Sequence, residues 1–322
     1  MVPSSPQASP TSSAGPRRRT TRRSGVGVLL AALLCALTVS TGSTSATAVS
    51  RENNPPPGAN DWSCQPSAEH PRPVVLIHGL SANARLNWSY LSPLLAERGY
   101  CVYALTYGLD PRLPANLAPG GTIDMRVSSQ ELDAFVTRVM ASTGAEQVDF
   151  VGHSEGTFMP LYWLKHMGGA PKVHSYVAWT PLYDGTKFLS IHALRDAGAQ
   201  FGLSSLALNV FNRLVCKACT QVLSGSGYHH QVAEGGDGVP GVRFTTVMTK
   251  YDELVVPYTS GHLDSAVDNV VLQDVCPGNL AEHAMVAFDP VAAQITFNAL
   301  DPANAQPVQC LPLFSKPPAP AA

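Results

Sequence analysis

Val148-Asp149-Phe150-Val151-Gly152-His153-Ser154-Glu155-Gly156-Thr157-Phe158-Met159 decides the fold. A short apolar run (Val148, Phe150, Val151) breaks off at Gly152-His153-Ser154-Glu155-Gly156, and a helix-like stretch runs from Thr157 to about His166. Strand, sharp turn and helix, with Ser154 at the apex, is the context a G-x-S-x-G nucleophile elbow requires. A chance match in a Gly- and Ser-rich chain would lack the flanking strand and helix. The two glycines have a steric reason, because a Cβ in so tight a turn would collide with the neighbouring strand or helix. The turn presents the Ser154 hydroxyl at a helix N-terminus, where free N–H groups and the positive dipole end favour a developing oxyanion. Ser154 is the candidate nucleophile.

Outward from the elbow, strand and helix patterns alternate. Pro73–His78 is a wholly apolar, β-branched run and reads as a strand buried on both faces. Trp88, Leu91, Leu94 and Leu95 give helical spacing over Asn87–Arg98, closed by Gly99. Tyr100–Tyr107 is the next strand; a Pro- and Gly-rich loop (Asp110–Gly121) then leads to a helix over Met125–Ala141. Beyond the elbow, Val173–Thr180, Val242–Thr249 and Asn269–Gln273 read as strands and Val291–Leu300 as a last helix. Thr186–Gly238 departs from the rhythm, with Leu- and Phe-rich short helices joined by glycines. Apolar strands alternating with helices predict an α/β fold with a mostly parallel sheet covered on both faces, carrying a small helical cap at about 186–238. No internal repeat is visible.

Composition sets the frame. At 322 residues, 45% hydrophobic and 14% charged, the chain suits a globular protein with a large core. Residues 1–48 read as a signal peptide: a basic segment (Arg17–Arg19, Arg22, Arg23), an apolar run over Val26–Val39, and Ala46-Thr47-Ala48 as cleavage pattern. The apolar run is too short for a convincing membrane span, so export is expected, by a Sec or twin-arginine route. Removing five Arg leaves 16 basic against 23 acidic residues, formally −7. No Lys/Arg cluster remains, which argues against nucleic acid or an anionic membrane surface as partner. Cys35 leaves with the signal; Cys64, Cys101, Cys216, Cys219, Cys276 and Cys310 remain, an even count that predicts three disulfides. Cys216-Lys217-Ala218-Cys219 lacks the preceding βαβ pattern of a redox motif and is read as a local structural bridge. The globular domain is placed at 49–310, with a flexible Pro-rich tail at 311–322.

A serine hydroxyl needs a base in hydrogen-bond reach, oriented by a third group, and in such sheets these groups lie beyond the carboxyl ends of strands. Asp252 follows directly on the Val242–Thr249 strand, whereas Glu253 would point elsewhere and Asp274 comes late. Of the ten histidines, His78 and His153 flank the oxyanion region and read as loop-shaping groups. His166, His174 and His192 fall on helix or strand positions, and His262 precedes the last strand. His283 lies past that strand, where a loop can bring it to Ser154. The order Ser154, Asp252, His283 is that of the α/β-hydrolases. The oxyanion donors would be the amides of Glu155, after the nucleophile, and Leu80, in the loop after the first apolar strand. His229-His230 lacks further ligands at metal spacing, so no metal and no cofactor is expected.

With these residues in place the chain resembles the secreted actinobacterial lipases of the α/β-hydrolase superfamily, and class 2 lipases most of all. The likeness rests on His78-Gly79-Leu80, Gly152–Gly156, Thr249-Lys250-Tyr251-Asp252-Glu253 and Glu282-His283, and covers about residues 60–300. It implies an esterase or lipase with Ser154 as nucleophile, His283 as base and Asp252 as its partner, acting as a monomer on a lipid or small ester. It also implies a hydrophobic acyl groove without setting chain length. Relatives often carry Thr where Leu80 stands, so a hydroxyl contribution to the oxyanion hole is absent here. The alternatives are an acyltransferase using the same three residues, or a silent hydrolase-fold binder.

Overall fold

A computed structural model describes residues 54–187 and 216–318. Its centre is a six-stranded, wholly parallel sheet in the order β2-β1-β3-β4-β5-β6. In chain order the elements are β1 (Val74–Ile77), α1 (Ala84–Trp88), α2 (Leu91–Ala96), β2 (Val102–Leu105), α3 (Met125–Thr143), β3 (Val148–His153), α4 (Glu155–His166) and β4 (Val173–Trp179). After the undescribed 188–215 come α5 (Lys217–Gln221), α6 (Gly227–Ala233), β5 (Arg243–Met248), β6 (Asp268–Val271), α7 (Leu272–Val275) and α8 (Pro290–Leu300).

The unbroken apolar strands are explained by cover on both faces. Val75, Ile77 and Phe150 face one core with Leu132, Val136, Phe158 and Trp163 of α3 and α4. Val74, Leu76 and Val151 face the other with Trp88, Leu91, Leu95 and the α8 residues Val291 and Ile295. β1 pairs with β2 on one side and β3 on the other. The order of strands therefore reverses at β1, and the crevice beyond the carboxyl ends of β1 and β3 is where ligands bind in open α/β sheets. This is the predicted α/β-hydrolase sheet.

Three local expectations shift. The helix read over Asn87–Arg98 is two pieces. It begins early because Asn83 caps it, accepting from the Leu86 N–H at 2.9 Å. It restarts at Leu91 because Pro93 has no N–H to continue a ladder from Ser89. The strand read as Asn269–Gln273 ends at Val271. Gln273 turns inward, accepting from the Lys250 N–H (2.8 Å) and donating to Thr249 Oγ1 (2.9 Å). The tail expected to be flexible from 311 is instead held as far as 318: Phe314 packs on Phe288, Tyr90 donates to the Ser315 carbonyl and Arg98 to that of Pro318.

Six cysteines pair as Cys64–Cys101, Cys216–Cys219 and Cys276–Cys310. The first ties the leader to the entry of β2 and the last ties the C-terminal segment to the turn after α7. The signal segment and residues 188–215 of the expected cap lie outside the described residues. Its remaining part docks on the body: Tyr228 donates to the Met159 carbonyl (2.8 Å), and Gln221 spans the start of α3 by accepting from Met125 N and donating to Asp124. Among the described residues no helix is long and apolar enough to cross a membrane.

Candidate active site

The elbow forms as the glycines require. A Cβ on Gly152 would stand 2.2 Å from the Gly156 carbonyl oxygen, and one on Gly156 would stand 2.1 Å from that of Ile77. Both obstacles are backbone, so nothing can move aside. Packed this closely, α4 starts at Glu155, two residues before the sequence pattern suggests, and Ser154 is left at φ 55°, ψ −123°. That is left-handed territory for a residue with a Cβ and costs on the order of 1–3 kcal/mol. The surroundings hold it. Ser154 N–H donates to Trp179 O (2.9 Å), and its carbonyl accepts from Thr157 N–H (2.8 Å) and Thr157 Oγ1 (2.7 Å).

Ser154, Asp252 and His283, taken from three loops of one sheet edge, come together. His283 Nε2 lies 2.8 Å from Ser154 Oγ, and His283 Nδ1 lies 2.9 Å from each oxygen of Asp252. The side chains of His283 and Asp252 are buried. Asp252 Oδ1 also accepts from the N–H groups of Leu254 (3.0 Å) and Val255 (2.6 Å), which fixes the carboxylate in its loop. With Nδ1 turned to a carboxylate, the neutral imidazole carries its proton there and offers the Nε2 lone pair to the serine.

Glu155 and Leu80 line the same cavity as Ser154 and His283. Neither backbone N–H donates to any protein acceptor among the described residues. The Glu155 side chain departs from its helix-start context and is wholly buried, with neither oxygen partnered. Burial raises its carboxyl well above the usual range, favouring the protonated form. The cavity measures about 460 Å³ and its walls are chiefly apolar: Leu80, Leu86, Leu182, Val222, Val255 and Phe288 among them.

The remaining candidates separate clearly. His78 is buried and stacked on Tyr107; it lies 2.8 Å from the Gly79 carbonyl through Nδ1 and accepts the Tyr107 N–H at Nε2 (3.2 Å). Burial lowers its pKa to about 4, so it stays neutral and shapes the loop. Glu253 does not point away: its Oε2 accepts from the His283 N–H at 3.3 Å. Asp274 pairs with Lys250 at the surface and His262 with Asp264, while His192 is outside the described residues. Among the described residues no three His, Cys, Asp or Glu side chains gather at metal-binding distance. Asn87 was missed. It is buried in α1 between Gly79 and His153, and the available signal was a polar side chain on the otherwise apolar stripe of Ala84, Trp88 and Leu91.

Sheet order, elbow and the three-residue array at its carboxyl edge define an α/β-hydrolase fold. The chain matches the model of the family Lipase (class 2) over residues 71–296 and belongs to that family. In fold it is similar to Aspergillus fumigatus lipase B, with a TM-score of 0.58 and 18% identity over 80% of this chain and 57% of that one. It is also similar to the mature form of a Bacillus licheniformis lipase, with a TM-score of 0.51 and 14% identity over 74% of this chain and 94% of that one. The chain thus spans little more than half the length of the Aspergillus protein.

Proposed function

We propose that this protein is a secreted serine hydrolase that cleaves carboxylic esters of fatty acids through an acyl-enzyme on Ser154. One observation carries the reading: the unbroken line from Asp252 through His283 to Ser154, at 2.9 Å and 2.8 Å, opening into an apolar cavity beside two undonated amides. His283 takes the Ser154 proton as Oγ attacks the ester carbonyl, and Asp252 stabilises the imidazolium that forms. The amides of Leu80 and Glu155 hold the tetrahedral oxyanion, each donor contributing on the order of 10²–10³ in turnover. His283 then protonates the leaving alcohol, and water repeats the cycle on the acyl-enzyme. Three disulfides fit an oxidising, extracellular setting, and the family membership supports an ester as substrate.

The burial of Glu155, which favours its protonated form, belongs to the same reading. An ionised carboxylate one residue from the nucleophile would oppose the developing oxyanion, whereas the buried acid leaves the helix N-terminus free to stabilise it. The test is hydrolysis of p-nitrophenyl esters from short to long acyl chains, beside Ser154→Ala, with product analysis in added alcohol. Ser154-dependent release of free acid is expected; transfer to the alcohol in preference to water would make the protein an acyltransferase, and activity surviving in S154A would refute the mechanism.

A further inference from the structure

Three loops must keep their spacing for this site to work: the one after β1 that presents Leu80, the elbow, and the loop bearing His283. One buried chain of polar contacts joins all three. Asn87 Oδ1 accepts from the Gly79 N–H at 3.1 Å and lies 2.9 Å from His153 Nδ1; His153 Nε2 in turn lies 3.0 Å from the His283 carbonyl oxygen. Asn87 is 4% and His153 6% exposed, so these contacts compete with little water. Gly79 immediately precedes Leu80, and His153 immediately precedes Ser154.

We infer that Asn87, acting with His153, is a positioning residue that sets the distance between the oxyanion loop and the base loop across the elbow. This rests on the proposed serine-hydrolase reading. The orientation of the amide is fixed by its surroundings, since exchanging its ends would set the NH₂ against the Gly79 N–H. Asn87 Nδ2 has no protein partner, so the residue leaves one buried donor unpaired in order to supply its oxygen. Such an unpaired group costs roughly 1–3 kcal/mol, which packing alone would not require. Gly79 itself packs tightly on the elbow: a Cβ added there would stand 3.0 Å from the Ser154 Cβ and 3.2 Å from the His153 carbonyl oxygen.

His153 is the hinge of the link. Burial, and then the neighbouring His283, hold its pKa at about 3, so it is neutral and has a single N–H facing two acceptors. That N–H bonds Asn87 Oδ1 or the His283 carbonyl at any one time, while both oxygens stay within 3.0 Å of the ring, so His153 spaces the two loops by contact on both sides.

The experiment compares Asn87→Ala with Asn87→Asp by kcat, KM, melting temperature and affinity for a trifluoromethyl ketone, whose adduct with Ser154 carries an oxyanion. N87A is expected to lose roughly 10- to 100-fold in kcat, less than outright loss of an oxyanion donor, with KM changed less than about 3-fold. Ketone affinity should fall by a similar factor, because a displaced Leu80 amide weakens the adduct and the transition state alike. N87D keeps an oxygen for Gly79 and should stay within about 5-fold of wild type. If N87A does not fold, His153→Ala cuts the same link from its other end and should show the same split. Wild-type kcat in N87A, or N87D as impaired as N87A, overturns the inference. Failure of the underlying reading looks different: wild-type protein that a fluorophosphonate does not label at Ser154, or hydrolysis that persists in S154A.

Discussion

Replacing Asp252 by Asn separates the chemical role of this residue from its structural one. Asp252 Oδ1 accepts from two backbone N–H groups, Leu254 and Val255, at 3.0 and 2.6 Å, while both oxygens lie 2.9 Å from His283 Nδ1. An asparagine here has no choice of orientation. Its oxygen must stay over the two amides, so its NH₂ takes the Oδ2 position and donates to His283 Nδ1. The imidazole then carries its proton on Nε2, aimed at Ser154 Oγ 2.8 Å away, and the base has no lone pair to offer. Loss of the correct tautomer costs about 10⁴ in kcat in a serine triad, which at 1.36 kcal/mol per decade is about 5.5 kcal/mol of transition-state stabilisation. Stability should barely change, because all the backbone bonds of the loop survive.

Asp252→Ala is the contrast: it removes the acceptor of two backbone N–H groups, of which the part-buried one of Val255 is stranded at roughly 1–3 kcal/mol while that of Leu254 can turn to water, and it should lower the melting temperature as well as the rate. Glu253→Gln is the control, since an amide oxygen still accepts from the His283 N–H, and its loss should stay under roughly tenfold. The assay is kcat and KM on a p-nitrophenyl ester at about pH 8, beside thermal melting. D252N retaining more than a tenth of wild-type kcat would refute the tautomer argument. A loss in E253Q equal to that in D252N would move the orienting role to Glu253.

Glu155→Gln tests the buried acid through its pH dependence. Burial raises the folded-state pKa well above the usual value of 4.5, so folded protein stays protonated where the unfolded chain ionises; wild-type stability is full below about 4.5 and falls as pH rises towards the folded value. Glutamine cannot ionise, so the gain in melting temperature of E155Q over wild type should widen from about pH 4 to about pH 8; a flat difference rejects a neutral acid. Gly156→Ala sets a Cβ 2.1 Å from the Ile77 carbonyl oxygen and 2.6 Å from that of His78, and should abolish soluble, melting-competent protein, the overpacking penalty passing the usual 1–3 kcal/mol; a wild-type melting curve refutes it. Among the disulfides, loop lengths predict that losing Cys64–Cys101, 37 residues apart, costs about 4 kcal/mol, against about 2 kcal/mol for Cys216–Cys219, 3 apart; denaturant midpoints of the paired Cys→Ser variants in the reverse order would contradict this.

What could be read in the sequence was what local sterics dictate. The elbow is legible because the nearest atoms to a Cβ at Gly152 or Gly156 would be backbone at 2.1–2.2 Å, so the position restricts residue type to one. The strands are legible because cover on both faces demands apolar runs, and strand ends then point to Asp252 and His283 without knowledge of tertiary contacts. Where a boundary slipped, a polar side chain had found a partner: Asn83 capping the N–H of Leu86 three residues on and starting α1 early, or Gln273 leaving β6 for Lys250 and Thr249, 23 and 24 residues away.

Less legible were the groups whose partners lie far along the chain. Nothing near Asn87 announces that Gly79, 8 residues earlier, and His153, 66 residues later, share its oxygen. Only its polarity on a buried stripe sets it apart. Glu155 stands in the first turn of α4, where an acidic side chain is ordinarily welcome, but tertiary packing closes over it and pushes its carboxyl well above the usual range. The hydroxyl and imidazole that would do the chemistry were thus easier to find than the amide that spaces them. A nucleophile imposes its own backbone geometry, whereas a positioning residue takes whatever geometry two distant loops leave for it.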